Sequence, residues 1–408
     1  MSKRLLFASY HFYLDPSNGA SITTREILLA LTKLGWDVHT FCGCGLDFQH
    51  SQSILQLLAD RNIKPKRIVK NSGSVSFSLA HFLDDEIRSS VFLPEENNTV
   101  PSHDAGTVWL HLVHEAIIQV KPDILVTYGG YWLGGHLLRL SHAAGVKNVM
   151  LLQNFAYTDA TFFQEFDLTI VPSQFASDYY AEKSGISSVP ILPMIDWHTV
   201  LCESDAESKK YVTFVNPDPN KGVYVFAQIA KQLWERRPDI PLLVVEGRCG
   251  VDWLAQTGVD LRGLNNLNMM ANTPDPRDFY KVTRIMLVPS LFMESFGRVA
   301  AEAMINGIPV IGSNRGALPE VIGDAGLTLE IPAHYTPETR IAPTPEEIEP
   351  WVDAVITLWD NAEQYQLFGT KGKARAEYWQ PDRIAQQYDS VLSNLLFNKN
   401  HYRCDHKI

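Results

Sequence analysis

Two glutamates, Glu294 and Glu302, stand with seven residues between them in Val288-Pro289-Ser290-Leu291-Phe292-Met293-Glu294-Ser295-Phe296-Gly297-Arg298-Val299-Ala300-Ala301-Glu302-Ala303-Met304. The pattern predicts an apolar strand ending at Pro289-Ser290, a short loop carrying Glu294 and Gly297, and a helix that starts near Arg298. Each piece suits one part of a phosphorylated ligand. A glycine lets the backbone approach closely. The first turn of a helix offers unpaired N–H groups and a partial positive charge, which suit a phosphate. A carboxylate in the opening turns, such as Glu302, can accept from the vicinal hydroxyls of a ribose. A carboxylate in the preceding loop, such as Glu294, can accept from a hexose. One strand-loop-helix unit can therefore hold the ribose, diphosphate and sugar of a nucleotide sugar. Acidic residues also occur at helix starts for a structural reason, because they complement the dipole. The context favours the ligand reading: Gly307-Ile308-Pro309-Val310-Ile311-Gly312-Ser313 follows as the next turn and strand.

This stretch resembles the signature of the retaining glycosyltransferases of the GT-B fold, in their fourth sequence family (glycosyl transferases group 1). The resemblance continues through Gly316-Ala317-Leu318-Pro319-Glu320-Val321-Ile322 and covers most of residues 211–325. It implies that Glu294 contacts the transferred sugar and that Glu302 holds the ribose. It implies that the amides of Phe296, Gly297, Arg298 and Val299 contact sugar and phosphates. A second match is Phe214-Val215-Asn216-Pro217-Asp218-Pro219-Asn220-Lys221-Gly222, where Lys221 would bind the diphosphate and stabilise it as it leaves. Many members carry an arginine five positions before this lysine, and here Asn216 stands there. Arg248, at the carboxyl end of the next strand in Val245-Glu246-Gly247-Arg248, is our candidate for the missing cation. An exposed structural arginine is the alternative.

In the first half the resemblance is weaker. Its glycine-rich loop after the first strand maps to Pro16-Ser17-Asn18-Gly19-Ala20-Ser21, with Gly19 the candidate for a close approach to the donor phosphate. Many relatives have a histidine or aspartate deep in this domain. The equivalent strand here ends Leu151-Leu152-Gln153-Asn154-Phe155, so Asn154 can bond a hydroxyl but supplies no base. Transfer does not require one, because retaining members are thought to let the departing phosphate take the acceptor's proton. Tyr128-Gly129-Gly130-Tyr131-Trp132 lies at a strand end, where aromatic faces can stack on an acceptor sugar or simply pack.

These residues need elements to position them. The chain has 408 residues, 45% hydrophobic and 20% charged, which fits two ordinary domains. Strands are predicted at 4–9, 37–42, 67–70, 123–128, 148–154 and 168–172, and helices at 21–34, 107–120, 133–144 and 174–183. A second series follows the polar run 202–210, with strands at 211–216, 241–246, 268–271, 284–289 and 309–312. Its helices are predicted at 223–236, 299–305 and 346–359, with a proline-rich irregular loop at 331–345. Continuous apolar strands alternating with helices indicate parallel sheets covered on both faces. The expected architecture is α/β, a GT-B fold of two doubly wound Rossmann-like domains facing each other across a deep cleft. Residues 1–200 form the acceptor-side domain and 201–380 the donor-binding domain. Residues 381–408 supply a helix returning to the first domain, and a tail.

Composition excludes several classes. A formal charge of −11 argues against nucleic acid as a partner. No run reaches the roughly 18 apolar residues of a membrane span. The start, Met1 to Tyr10, reads as a buried strand rather than a signal peptide, because His11 and Asp15 follow too soon. The five cysteines, Cys42, Cys44, Cys202, Cys249 and Cys404, have no metal-site spacing and suit a reducing cytoplasm. Asp84-Asp85 lacks the Asp-x-Asp spacing of a metal-diphosphate clamp, and no ligand set completes His111 and His114.

The expected activity is metal-independent, retaining transfer of a hexose from a nucleoside diphosphate sugar to a hydroxyl acceptor. A UDP-sugar is the first expectation for the donor and GDP-mannose the second. The donor is a co-substrate and no further cofactor is expected. The acceptor is open between a lipid, a polysaccharide and a small metabolite. The expected compartment is the cytoplasm, with peripheral attachment to a membrane left open. The alternatives are a nucleotide-sugar epimerase of the same fold, which would need acid and base groups around the sugar, and a non-catalytic nucleotide-sugar-binding protein.

Overall fold

A computed structural model describes residues 3–16, 18–46, 53–95, 100–128, 131–157, 159–203 and 208–397. They divide into two compact units. The first takes the chain up to Pro172, then Ser177–Met194, and the chain from Pro381 onward. The second takes Ser173–Ala176 and Ile195–Gln380. The chain therefore passes from first unit to second between Met194 and Ile195, and its last helix, Pro381–Phe397, belongs with the first unit.

The first unit is built on strands β1 (Arg4–His11), β2 (Asp37–Gly45), β3 (Lys66–Ser72), β4 (Val75–Asp84), β5 (Ile87–Pro94), β6 (Ile124–Thr127), β7 (Lys147–Leu151), β8 (Leu168–Val171) and β9 (Val189–Pro190). Their order is β3-β4-β5-β2-β1-β6-β7-β8-β9. From β5 to β9 every pairing is parallel. Leu5, Phe7, Ile124, Leu125, Val149 and Ile170 are fully buried in this sheet, as expected of parallel strands covered on both faces. Tyr388 and Leu392 of the last helix join the same core. Asp389 on that helix accepts from Trp36 Nε1 at 2.7 Å and from Lys3, which ties the helix to the start of β1.

The edge of this sheet departs from the expected alternation of strand and helix. β3, β4 and β5 form an antiparallel meander. Asp84-Asp85-Glu86 closes the β4–β5 turn, with Asp85 at φ 52°. Asp84 is buried and takes both nitrogens of a fork from Arg25, at 2.7 and 2.8 Å, and the Tyr13 hydroxyl at 3.1 Å. Antiparallel strands need only a short turn, so they leave no helical period between them to read.

The second unit holds β10 (Tyr211–Val215), β11 (Leu242–Val245), β12 (Leu267–Met270), β13 (Thr283–Val288), β14 (Val310–Ser313) and β15 (Leu327–Leu329). The order is β12-β11-β10-β13-β14-β15, all parallel. The direction of winding reverses between β10 and β13, so a crevice opens at their carboxyl ends. The first sheet has the same reversal between β1 and β6. The helix Pro345–Asp360 starts on a capping box, in which Thr344 Oγ1 accepts from Glu347 N while Glu347 accepts from Thr344 N. Residues 331–344 are irregular. No helix among the described residues is long and apolar enough to cross a membrane.

Candidate functional site

The loops after β10 and β13 meet at the reversal point of the second sheet. Two features lock them together. Asn220 O accepts from both Leu291 N and Phe292 N at 3.0 Å. Gly222, at φ +85°, lies so close to the second loop that an added Cβ would stand 1.8 Å from Pro289 O. Only glycine permits this approach and this backbone conformation together. Asp218 Oδ1 accepts from Asn220 N at 2.6 Å and fixes the turn that presents Lys221.

Lys221 Nζ consequently reaches Glu294 Oε1 at 2.6 Å. Ser290 Oγ donates to the same oxygen at 2.6 Å. No hydrogen bond among the described residues ends on Oε2, which leaves that oxygen for a ligand hydroxyl. The loop under Glu294 is held from below. Ala317 N donates to Glu294 O at 2.8 Å, and Ser313 Oγ donates to Ser290 O at 2.7 Å. Burial of the Glu294 carboxyl would raise its pKa. The Lys221 ammonium, its hydrogen bond, the Ser290 hydroxyl and the charge of Arg248 outweigh burial and hold it below the usual glutamate range.

Gly297, at φ +101°, turns the chain into the helix Arg298–Ile305. Ala300 N is bonded back to Gly297 O at 3.0 Å. The amides of the preceding residues belong to the turn that an α-helix leaves without internal acceptors. Phe296 is buried, in edge contact with Trp379, while Arg298 and Val299 are half-buried. Glu302 lies one turn in, 8% exposed. Its Oε1 accepts from Arg298 Nε at 3.1 Å and its Oε2 from the Tyr280 hydroxyl at 2.9 Å. Tyr280 is fully buried, and burial together with the Glu302 charge pushes its phenol well above the ordinary value.

Asn216 closes β10 in the left-handed region, at φ 61°. Its Oδ1 accepts from Cys249 N at 3.0 Å. It therefore organises the turn that carries Arg248. That arginine is exposed, and its charge reaches Glu294. The residue at the position where relatives carry an arginine thus shapes the loop that bears Arg248.

The two sites expected in the first half lie in the first unit. Gly19 is the first residue of the helix Gly19–Lys33, just past β1, and is not among the positive-φ glycines. Asn18 Oδ1 caps that helix by accepting from Ala20 N at 2.8 Å. Asn154 is exposed beyond β7. Its side chain accepts from Ala156 N at 3.0 Å, and its carbonyl accepts from the Tyr180 hydroxyl at 2.8 Å. Tyr131 stacks on His11 at 5.0 Å and Trp132 on His103 at 5.2 Å. Gly129, Gly130, Ser17, Cys404 and residues 204–207 lie outside the described residues. Among the described residues no three His, Cys, Asp or Glu side chains converge into a metal-ligand set.

Sequence reasoning missed two partners. Ser290 was legible, four residues before Glu294 at the strand's end. Tyr280 was not, because it lies 22 residues from Glu302 and on another element.

Residues 203–375 match the family described as glycosyl transferases group 1. A D-inositol 3-phosphate glycosyltransferase of Paenarthrobacter aurescens (strain TC1) is 28% identical over 186 residues, 43% of this chain and 42% of that protein. The chain thus spans less than half the length of the curated relatives it matches. Two solved structures share the fold across nearly the whole chain. Sucrose-phosphate synthase from Thermosynechococcus elongatus has a TM-score of 0.69 at 17% identity, covering 96% of this chain and 99% of that one. HepE of Anabaena in complex with UDP-glucose has a TM-score of 0.67 at 16% identity, covering 96% and 99%. The chain has the two-domain, Rossmann-like GT-B fold, and its residues 203–375 are similar to the glycosyl transferases group 1 family.

Proposed function

We propose that this protein transfers a hexose from a nucleoside diphosphate sugar to a hydroxyl acceptor, with retention at the anomeric carbon and without a divalent metal. One observation carries the reading. Lys221, Glu294 and Ser290 converge at the carboxyl ends of β10 and β13, beside a glycine-opened helix start and a buried Glu302. Each group has a task on such a donor. Glu294 Oε2 accepts from a sugar hydroxyl. Phosphate oxygens meet the amides at Gly297 and the ammonium of Lys221, and Glu302 accepts from the ribose. The bond from the anomeric carbon to the diphosphate breaks and a bond to the acceptor oxygen forms on the same face. The acceptor's proton passes to a diphosphate oxygen, so no protein base is needed. Lys221, with Arg248, offsets the charge that builds on the leaving group.

A UDP-sugar is the first donor we propose and GDP-mannose the second. The UDP-glucose bound in the HepE structure supports the former. No further cofactor enters. The acceptor is a lipid, a polysaccharide or a small metabolite. Cys42, Cys44, Cys202 and Cys249 form no disulfide among the described residues, which suits a reducing cytoplasm. The test incubates the chain with radiolabelled UDP-glucose, other UDP-sugars and GDP-mannose, with and without a chelator, over an acceptor panel. Transfer that survives the chelator and keeps the anomeric configuration is expected. Reversible loss in chelator would overturn metal independence. An epimer formed from donor alone would favour the epimerase, and tight donor binding without turnover would favour a binding protein.

A further inference from the structure

The first unit contains a groove of about 960 Å³ that the transfer chemistry does not use. One wall is the last third of the helix His103–Val120, and the floor is the adjoining face of β2, β5 and β4 out to the edge strand β3. Leu6 and His39 place it at the amino-terminal side of β1 and β2. Gly19 and Tyr128 lie beyond the opposite ends of the parallel strands. A volume of this size is that of a small-molecule site.

The groove opposes the rest of the chain in charge. The formal charge is −11 overall, yet Lys64, Lys66, Lys70 and Arg88 line this surface together with His39 and His81. Among the described lining residues Glu115 is the one acid, and it faces His111 at 3.4 Å. Arg88 and His39 share the carboxylate of Asp37, at 2.5 and 3.2 Å. Lys64, Lys66 and Lys70 make no ion pair among the described residues and are exposed. Like charges gathered without partners cost stability, so their placement asks for an external anion.

Strand register gives the spacing. Lys66 stands opposite His81 and Lys70 opposite Phe77, so both lysines share one face of β3. Four residues of strand separate them by about 13 Å. His81, half-buried on the floor, bonds Ser90 Oγ at 2.8 Å. Burial lowers its pKa, and the charges of Lys70 and Lys66 lower it further. Buried Phe41 and Leu79 supply apolar floor between the cations.

We propose that this groove binds an extended acidic saccharide, whose successive carboxylates pair with the lysines while its ring faces lie on the apolar floor. A single small anion would not use cations about 13 Å apart on a strand. A flat lipid surface would not reach His39 and His81 on the floor. The site is remote, within its own sheet, from the carboxyl-end loops, and it does not depend on the sugar-transfer reading.

The test titrates the full chain with an oligogalacturonate and, as a neutral control, maltohexaose, following the His81 ring by NMR. Saturable binding of the uronate alone is expected, weakened by added salt. The His81 pKa should rise on binding, because bound carboxylates offset the lysine charges. The exposed double variant Lys66→Glu/Lys70→Glu should keep the melting temperature and lose at least about tenfold in affinity, whereas Lys66→Arg/Lys70→Arg should retain it. Equal binding of both sugars, binding of neither, or full affinity in the charge-reversed variant would overturn the proposal. So would uptake of the protein on phosphatidylglycerol vesicles without uronate binding.

Discussion

Lys221 Nζ lies 2.6 Å from Glu294 Oε1 although 73 residues separate them in the chain. The contact exists because β10 and β13 are neighbours at the winding reversal and because Gly222 lets one loop press against Pro289. The pair places a cation and a carboxylate side by side, where a sugar diphosphate would need both.

If Lys221 stabilises the leaving diphosphate, Lys221→Ala should lower kcat roughly a hundredfold to a thousandfold, with a smaller change in KM. Steady-state transfer from the preferred nucleotide sugar reads this directly. A kcat within a factor of about three of wild type would remove Lys221 from the reaction.

The same pair makes an acid-stability prediction. The folded pKa of Glu294 is depressed, so its contribution is present above the unfolded value of about 4.3 and is lost as pH falls through the folded value. Glu294→Gln should therefore be less stable than wild type in urea at about pH 6, and the gap should close below about pH 4. A gap that stayed constant across this window would show that the ion pair contributes nothing.

Replacing Gly222 by alanine forces a Cβ toward Pro289 O in a left-handed backbone. The strain and overlap should cost at least about 2 kcal/mol, seen as a lower urea midpoint.

Tyr280→Phe removes the buried donor to Glu302 Oε2. A stability loss of about 1 kcal/mol is expected. If Glu302 holds the ribose, donor KM should rise severalfold while kcat stays close to wild type. An unchanged KM would mean that Tyr280 serves only the fold.

In the first unit, Arg25→Ala leaves the buried carboxylate of Asp84 without its fork. Loss of about 3 kcal/mol is expected, and Asp84→Asn on the same background should recover part of it. Equilibrium unfolding of the two variants checks both statements.

Much of the second unit was legible in the linear chain. Val212, Phe214, Leu242, Val244, Ile285 and Leu287 are fully or almost fully buried, so their strands read as short continuous apolar runs. The helix after Gly297 announced itself through its glycine and its two flanking glutamates. The hairpin β4–β5 was harder. Its alternation is interrupted on a sheet edge where both faces carry polar residues, such as His81 and Asp84, so period alone did not separate it from loop.

Residue types and spacing by themselves singled out the side chains we propose to grip a nucleotide sugar: Glu294, Gly297 and Glu302 within one local unit, and Lys221 by its resemblance to a second. Local chemistry is visible in a sequence because neighbours along a turn or helix are neighbours in space. Only the tertiary structure decided that Ser290 and Lys221 share one oxygen of Glu294, that Tyr280 braces Glu302, and that Asn216 shapes the loop bearing Arg248. It also decided that three unpaired lysines and two histidines from different strands face one groove in an acidic chain. Those relationships depend on strand order and register, which are fixed by packing between distant segments rather than by the residues on either side.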